Sequence, residues 1–244
     1  MPSYKNAAPG KYSTFALGTL STTLRKWKWA SRKVVVLGES LDFLDWVEES
    51  YSPRVKACIH RELIWNKVIA ELNSSDKDSS TQNVLVIELG VAWGYTTSFF
   101  TERLASHVKY QWYGFDTFTG LPREWREHSK NDFSANGLIP DIDNTSVEFE
   151  VGLVEETFSV QKHLVPFEHS RKVVLFDLDL FEPSLFVWER LVEFLKPGDI
   201  LYFDEAFDTD ERRLLNDLVN THNDLSFEVV GFTHLALALR VLPE

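Results

Sequence analysis

The sequence predicts an α/β fold: a doubly wound, mostly parallel sheet of seven strands with helices on both faces. Two observations support this fold. Short, wholly apolar runs alternate along the chain with segments of helical apolar spacing, and such runs are typical of strands buried on both faces of a parallel sheet. Several of these runs also end in an acidic residue. Ligands of doubly wound folds bind at the carboxyl ends of the strands.

The individual elements follow from apolar runs bounded by turn residues. The first five predicted strands cover 84–88, 112–116, 147–152, 173–177 and 200–204. The last two, SFEVVGF and LALALRVL, follow each other closely and are predicted as a hairpin. Helices are predicted at about 41–50, 60–72, 95–106, 184–195 and 209–220. Residues 117–145 form a long connection punctuated by glycine and proline, and connections of that length are commonly functional or mobile.

Two parts of the chain are predicted. Residues 1–79 form an N-terminal helical cap, which ends in the polar run NSSDKDSSTQN, and residues 80–244 form the core. The cap includes the basic-aromatic run LRKWKWASRK. Two interpretations of this run stay open, a handle for an acidic substrate or membrane surface and a solvated helix or turn with inward tryptophans.

Composition excludes several classes of protein. The net charge of −12 argues against a broad nucleic-acid interface, because phosphate binding needs a basic face. Cys58 is the single cysteine, so no intramolecular disulfide forms and a reducing compartment is expected. Neither a signal peptide nor an apolar run long enough to span a membrane is present. We therefore expect a soluble cytoplasmic protein.

The acidic residues at the strand ends are expected to meet in one crevice. Four lie at the ends of apolar strands and two lie just beyond; they are Glu88, Asp116, Asp177, Asp179, Asp204 and Glu205. Each has a simpler explanation as a helix cap or a solvated side chain. Together they would repel, by about 4 kcal/mol for two charges ~4 Å apart at an effective dielectric near 20. Such a cluster takes up protons or recruits cations, so the sequence predicts a site for positively charged ligands.

The turn after the first strand indicates a cofactor. Its sequence, ELGVAWGYTT, places Gly90 and Gly94 before a helix. Gly90 allows a tight turn, and Gly94 allows a ligand to approach the backbone. Asp116 at the end of the second strand is placed to accept hydrogen bonds from ribose hydroxyls.

With these features the chain resembles the class I, Rossmann-like S-adenosylmethionine-dependent methyltransferases, and among them the macrocin O-methyltransferase family. The segment ELGVAWGYTT resembles the first motif of the class. The strings YGFDTFTGLPREWR, VGLVEETF, FDLDLFEPS and YFDE resemble the family in the same order, over roughly residues 58–210. The resemblance implies an O-methyltransferase of natural-product biosynthesis that acts on a hydroxyl of a small polar molecule such as a sugar. It also implies a homodimer.

The resemblance also implies roles for individual residues. The cofactor-binding residues would be Glu88, Gly90, Gly94, Asp116, Thr117, Phe118 and Gly152. A divalent metal, usually Mg²⁺, would be held by Asp177, Asp204 and Glu205, and Asp179 would be the general base. This sequence has Asp-Glu where better-known members have Asp-Asp after the fifth strand, and Phe-Glu-Pro-Ser where Tyr-x-Ser-Thr is usual.

Two rival functions are weighed against this one. A nicotinamide-dependent oxidoreductase also uses a glycine turn and an acid after the second strand, but residue 92 is alanine, so the G-x-G-x-x-G spacing is absent. The second rival is a non-catalytic protein that has kept the fold. Retention of an acidic residue at every predicted metal and base position argues against it.

Overall fold

A computed structural model of the chain describes residues 28–74, 83–126, 128–219 and 225–243. The residues before 28, including Arg25, Lys26 and Trp27 of the basic-aromatic run, and most of the polar run that ends the predicted cap lie outside the described residues. The side chains of residues 28–33, 218 and 219 are also outside the description. The predictions made for these segments stay predictions.

The sheet contains the seven predicted strands. In chain order they are β1 (Asn83–Leu89), β2 (Lys109–Asp116), β3 (Val147–Val151), β4 (Arg171–Phe176), β5 (Ile200–Phe203), β6 (Phe227–Phe232) and β7 (Leu237–Val241). Each overlaps the apolar run that predicted it. The runs of the three central strands β1, β4 and β5 are apolar at nearly all consecutive positions, and their side chains are buried on both faces of the sheet.

Among the described residues, two helices precede the first strand and five lie between strands, as the alternating pattern predicts. They are α1 (Lys28–Tyr51), α2 (Arg61–Ser74), α3 (Tyr95–Thr101), α4 (Val154–Thr157), α5 (Val160–His163), α6 (Phe181–Leu191) and α7 (Thr209–Leu214). Short 3₁₀ turns cover Val165–Phe167 and Val192–Phe194, and α7 continues as a π-helical turn over Leu215–Val219. Helix α1 is longer than predicted and α3 is shorter. None of the described helices has the length and apolar character needed to cross a membrane.

The strand order is β3-β2-β1-β4-β5-β7-β6. All neighbouring pairs are parallel except those that involve β7, which runs antiparallel to both β5 and β6. The order reverses between β1 and β4, so this is the switch point where the crossovers leave toward opposite sides. A crevice opens at such a point in doubly wound sheets. The predicted fold and the predicted terminal hairpin are confirmed.

Each face of the sheet is covered by its own set of helices. Leu85 and Ile87 of β1 belong to one cluster, which includes side chains from α6 and α7. Val84 and Val86 belong to the other, which is covered by α2 and α3. The alternation follows from the two-residue period of a strand, which sends successive side chains to opposite faces.

The described residues divide into two compact units, with the boundary between Asp42 and Phe43. The first contains the beginning of α1. The second contains the end of α1, helix α2 and the whole sheet. Helix α2 falls within the predicted N-terminal cap, yet it packs on the sheet through a buried stripe.

Trp65 is the main anchor of α2. Its side chain is 1% exposed, and its ring meets those of Phe99, Phe100 and Tyr202 with centroids 5.2, 6.1 and 6.1 Å away. Aromatic side chains of this size contribute large buried areas, and edge-to-face pairs add to that contribution. Trp65 therefore joins α2 to both α3 and β5.

We expect Trp65→Ala to lower the free energy of unfolding by about 3–5 kcal/mol, because it removes a large buried side chain and leaves a cavity. Trp93→Ala is the matched control, since Trp93 is 65% exposed and its loss should change stability by about 0.5 kcal/mol or less. Urea denaturation of both variants checks this. Equal losses in the two variants would contradict the anchoring role of Trp65.

Candidate functional site

A cavity of about 550 Å³ opens at the carboxyl ends of β1, β2, β4 and β5. Its position is the switch point of the sheet, and its volume lies in the range that holds a cofactor or a substrate. The walls come from the turn after β1, the long connection after β2, the loop after β3 and the ends of β4 and β5. Helix α2 contributes its first residue, Arg61.

Five of the six predicted strand-end carboxylates line this cavity. They are Asp116, Asp177, Asp179, Asp204 and Glu205. Their convergence follows from the parallel sheet, because strands that run in one direction end at one edge. The structure therefore brings together the proposed base, the three proposed metal ligands and the proposed ribose ligand.

Asp116 holds the turn after β1 in shape. Its Oδ2 accepts the backbone N–H of Val91 at 2.8 Å and of Ala92 at 2.7 Å, and its Oδ1 accepts that of Phe118 at 2.6 Å. Ala92 and Phe118 both have positive φ, 47° and 56°. The carboxylate thus stabilises two turns whose backbone is uncommon for residues with a side chain.

The two glycines of the turn have different neighbours. Gly90 has φ +92°, and a Cβ there would lie 1.9 Å from the carbonyl oxygen of Asp177. Gly94 has φ +76°, and a Cβ there would lie 2.7 Å from Cβ of Pro140. Gly90 therefore lets the ends of β1 and β4 approach each other at the cavity. The space beside Gly94 is filled by the long connection, so in this structure the chain itself makes the close approach.

Glu88 lies outside the cavity, buried between the sheet and α3. Its Oε2 accepts hydrogen bonds from the hydroxyl of Thr97 and from Nε1 of Trp112, the latter at 2.9 Å. Its Oε1 has no hydrogen-bond partner among the described residues. Burial raises the pKa of Glu88 from 4.5 to about 8, although the bonds from Thr97 and Trp112 oppose that shift. The side chain is therefore mostly neutral at neutral pH.

The remaining predicted cofactor residues lie around Asp116. Thr117 and Gly152 line the cavity, and the N–H of Gly152 donates to the carbonyl of Asp116 at 3.0 Å. Phe118 does not line it. Its ring is buried beneath the site against Val91 and Phe149, so it supports the floor of the cavity.

Burial and mutual repulsion hold protons on the carboxylates near β4 and β5. Burial raises the pKa of Asp179 to about 7, and the charges of Asp204, Asp208 and Asp116 add to the shift. The pKa of Glu205 is raised to about 8, first by burial and then by Asp179 and Asp204. The pKa of Asp177 lies well above its usual value for the same two reasons. The backbone of Asp179 also has φ +61°, an uncommon conformation that clusters at functional sites.

Asp204 differs from these carboxylates because it has a cationic partner. Nη1 of Arg61 donates to its Oδ2 at 2.5 Å, and the hydroxyl of Tyr202 donates to its Oδ1. Both oxygens are thus engaged, and the side chain is only 9% exposed. Arg61 is a site residue that the motifs did not single out.

A second layer of acids supports the loop after β5. Glu211 is buried and its Oε2 accepts the N–H of Glu205 at 3.0 Å. Asp208 is the N-cap residue of α7; its side chain accepts the N–H of Asp210 and pairs with Arg126 at 3.1 Å. Neither acid was selected from the sequence, although a strand end followed by DEAFDTDE contains the signal of a capped helix start.

The predicted Mg²⁺ site does not fit the residues as they stand. Among the described residues, no three His, Cys, Asp or Glu side chains are arranged to hold a metal ion. The physical reason lies at Asp204, whose two oxygens already bind the guanidinium of Arg61 and the hydroxyl of Tyr202. A hard cation needs free carboxylate oxygens around it.

Comparison with known structures identifies the fold. The crystal structure of CalS11, a calicheamicin methyltransferase, aligns with a TM-score of 0.53 and 20% sequence identity over 75% of this chain and 80% of that chain. This chain has the class I methyltransferase fold. The O-methyltransferase NovP aligns with a TM-score of 0.48 and 13% identity over 72% of this chain and 80% of that chain. No family model and no curated protein matches the sequence. At such identities the likeness concerns the fold, and activity has to be argued from the site.

Because the pKa of Glu88 is raised in the folded protein, we expect the stability of the fold to depend on pH. The folded chain holds this proton up to about pH 8, whereas an unfolded glutamate releases it near pH 4.5. The folded state therefore binds more protons across that window, and its stability falls as pH rises, by at most about 1.4 kcal/mol per pH unit from this one group.

We expect Glu88→Gln to flatten the pH dependence of stability between about pH 5 and pH 8, because glutamine stays neutral and its oxygen accepts the same two hydrogen bonds. Urea denaturation at several pH values checks this. Glu124→Gln is the control, because Glu124 is exposed. A pH dependence that is equally steep in wild type and Glu88→Gln would contradict the assignment.

Proposed function

We propose that this protein is an S-adenosylmethionine-dependent O-methyltransferase that acts on a hydroxyl group of a small polar molecule, such as a sugar or another polar natural product. The observation that carries the proposal is the cavity at the switch point of a class I methyltransferase fold, with five strand-end carboxylates in its walls. Such a wall suits a ligand with a positive sulfonium. The magnesium ion predicted from the sequence is not part of the proposal.

The residues of the cavity fit the cofactor. A carboxylate offers about four acceptor positions, and Asp116 uses three of them for backbone N–H groups. The fourth is available to a ribose hydroxyl. Thr117 and Gly152 lie beside Asp116 in the wall and are assigned to the adenosine side, whereas Gly90, which also lines the cavity, is assigned to the methionine side. Gly94 and Phe118 act indirectly, because they shape the turn and the floor. Glu88 also acts indirectly, because its bonds with Thr97 and Trp112 join α3 to the sheet.

When bound, S-adenosylmethionine supplies an electrophilic methyl group, which the acceptor oxygen takes in an in-line displacement. The task of the chain is to align the acceptor with that methyl group and to remove the proton of the hydroxyl. Asp179 is assigned to proton removal, since it lines the cavity at the end of β4. The raised pKa values of the neighbouring Asp177 and Glu205 reduce the negative charge that would oppose the loss of the acceptor proton.

Cofactor binding tests the proposed function directly. We expect S-adenosylhomocysteine to bind the purified protein in isothermal titration calorimetry and to raise its melting temperature, because a ligand that binds only the folded state stabilises it. NAD is the control ligand and should produce neither effect. Binding of NAD without binding of S-adenosylhomocysteine would instead support a nicotinamide-dependent oxidoreductase.

Asp179→Asn separates catalysis from binding. We expect it to reduce methyl transfer from radiolabelled S-adenosylmethionine to hydroxyl compounds by roughly 10²–10⁴-fold, the usual contribution of a general base. Affinity for S-adenosylhomocysteine should change little, because the assigned cofactor contacts are elsewhere. The control is Asp143→Asn, an exposed residue of the long connection. Full activity of Asp179→Asn would exclude the assigned role, and cofactor binding without transfer to any hydroxyl compound would favour a non-catalytic protein.

A further inference from the structure

The carboxylate of Asp204 already has a cation in front of it. Nη1 of Arg61 lies 2.5 Å from Oδ2 of Asp204, and the hydroxyl of Tyr202 donates to Oδ1. A divalent ion that approached this carboxylate would have to displace the guanidinium and would meet its positive charge. Asp204 is one of the three residues that the sequence assigned to the metal, so its pairing removes one ligand from the predicted set.

Arg61 is held in this position by packing. It is the first residue of α2, and its guanidinium lies over the ring of Trp65, 5.2 Å from the ring centroid. The ring of Trp65 in turn packs against Tyr202, which donates to the same carboxylate. Arg61, Trp65, Tyr202 and Asp204 therefore form one connected group, in which buried aromatic packing fixes the direction of the guanidinium.

The guanidinium also faces the cavity. Its side chain is 43% exposed and is part of the cavity wall. A guanidinium has five N–H donors, and among the described residues Asp204 is the acceptor that binds it. Further donors thus remain for oxygen atoms of a bound molecule. The other arginine of the wall, Arg123, pairs with the exposed Glu182 instead.

We infer that Arg61 takes the place predicted for the divalent metal: its guanidinium neutralises Asp204, excludes hard cations from the cavity and offers N–H donors to the ligand. The exclusion of metal rests on the geometry around Asp204 alone. Only the role toward a methyl acceptor rests on the proposed function. Arg61 supplies a fixed positive charge that cannot be removed by a chelator.

A Mn²⁺ binding assay tests the inference. Bound Mn²⁺ is measured as the decrease of the free-ion signal in electron paramagnetic resonance. Wild-type protein saturated with S-adenosylhomocysteine, and wild-type protein alone, should leave the Mn²⁺ signal unchanged. Arg61→Ala should acquire saturable Mn²⁺ binding, because it frees Asp204 beside Asp177 and Glu205. The added substitution Asp204→Asn should abolish that binding. Arg61→Lys keeps a positive charge and should resemble wild type.

Arg103→Ala is the matched control, because Arg103 also stacks on an aromatic ring, that of Phe99, at 3.9 Å, and is similarly exposed. It should not bind Mn²⁺. Circular dichroism verifies that each variant is folded, and Arg61→Gln replaces Arg61→Ala if the latter fails to fold. Saturable Mn²⁺ binding by wild type that is lost in Asp204→Asn would overturn the inference, as would a folded Arg61→Ala that binds no Mn²⁺.

The two proposals fail in different ways. Absence of S-adenosylhomocysteine binding overturns the proposed methyl transfer but leaves the Mn²⁺ result on the apo protein decisive for Arg61. If wild-type protein binds both S-adenosylhomocysteine and, at Asp204, Mn²⁺, the proposed methyl transfer stands. The inference that Arg61 takes the place of the metal is then wrong.

Discussion

Repulsion between the carboxylates at the strand ends is the constraint that shapes this site. Parallel strands bring Asp177, Asp179, Asp204 and Glu205 to one edge of the sheet, and burial there weakens the screening by water. Three of these groups respond by holding protons more tightly, as their raised pKa values show. Asp204 responds differently, through the guanidinium of Arg61. The same edge of the sheet thus uses both ways of relieving negative charge.

The turn after β1 depends on a carboxylate in another way. Asp116 accepts the N–H groups of Val91 and Ala92, so a residue of β2 fixes the shape of the chain that follows β1. A side chain with one acceptor oxygen would leave part of this arrangement unsatisfied, and unsatisfied buried N–H groups are costly. Asp116 is therefore a structural residue even before any ligand binds. Its proposed contact with ribose uses the one acceptor position of the carboxylate that the backbone N–H groups do not occupy.

The sequence predicted the sheet well because its signals are local. Each apolar run, its length and the turn residues around it identify a strand, and the terminal acids identify the edge where ligands bind. Glu88 shows the limit of this reasoning. It ends a predicted strand as Asp116 does, but its side chain points into the layer beneath α3 and bonds with Trp112. Strand β1 continues to Leu89, so Glu88 lies within the strand and its side chain is directed to one face of the sheet. An apolar run does not specify at which residue the strand ends.

Arg61 shows a second limit, which concerns distance along the chain. The stripe of apolar residues in α2 predicts a buried helix, but the contact between Arg61 and Asp204 joins residues 143 positions apart. It exists because Trp65 fits against Tyr202, and that fit is a property of the assembled core. A family motif contains the acidic residues but does not include Arg61, the cation that another part of the chain places beside them. Retaining Asp or Glu at the expected metal positions is therefore insufficient to predict a metal site, since a single arginine from another element removes a ligand from the set.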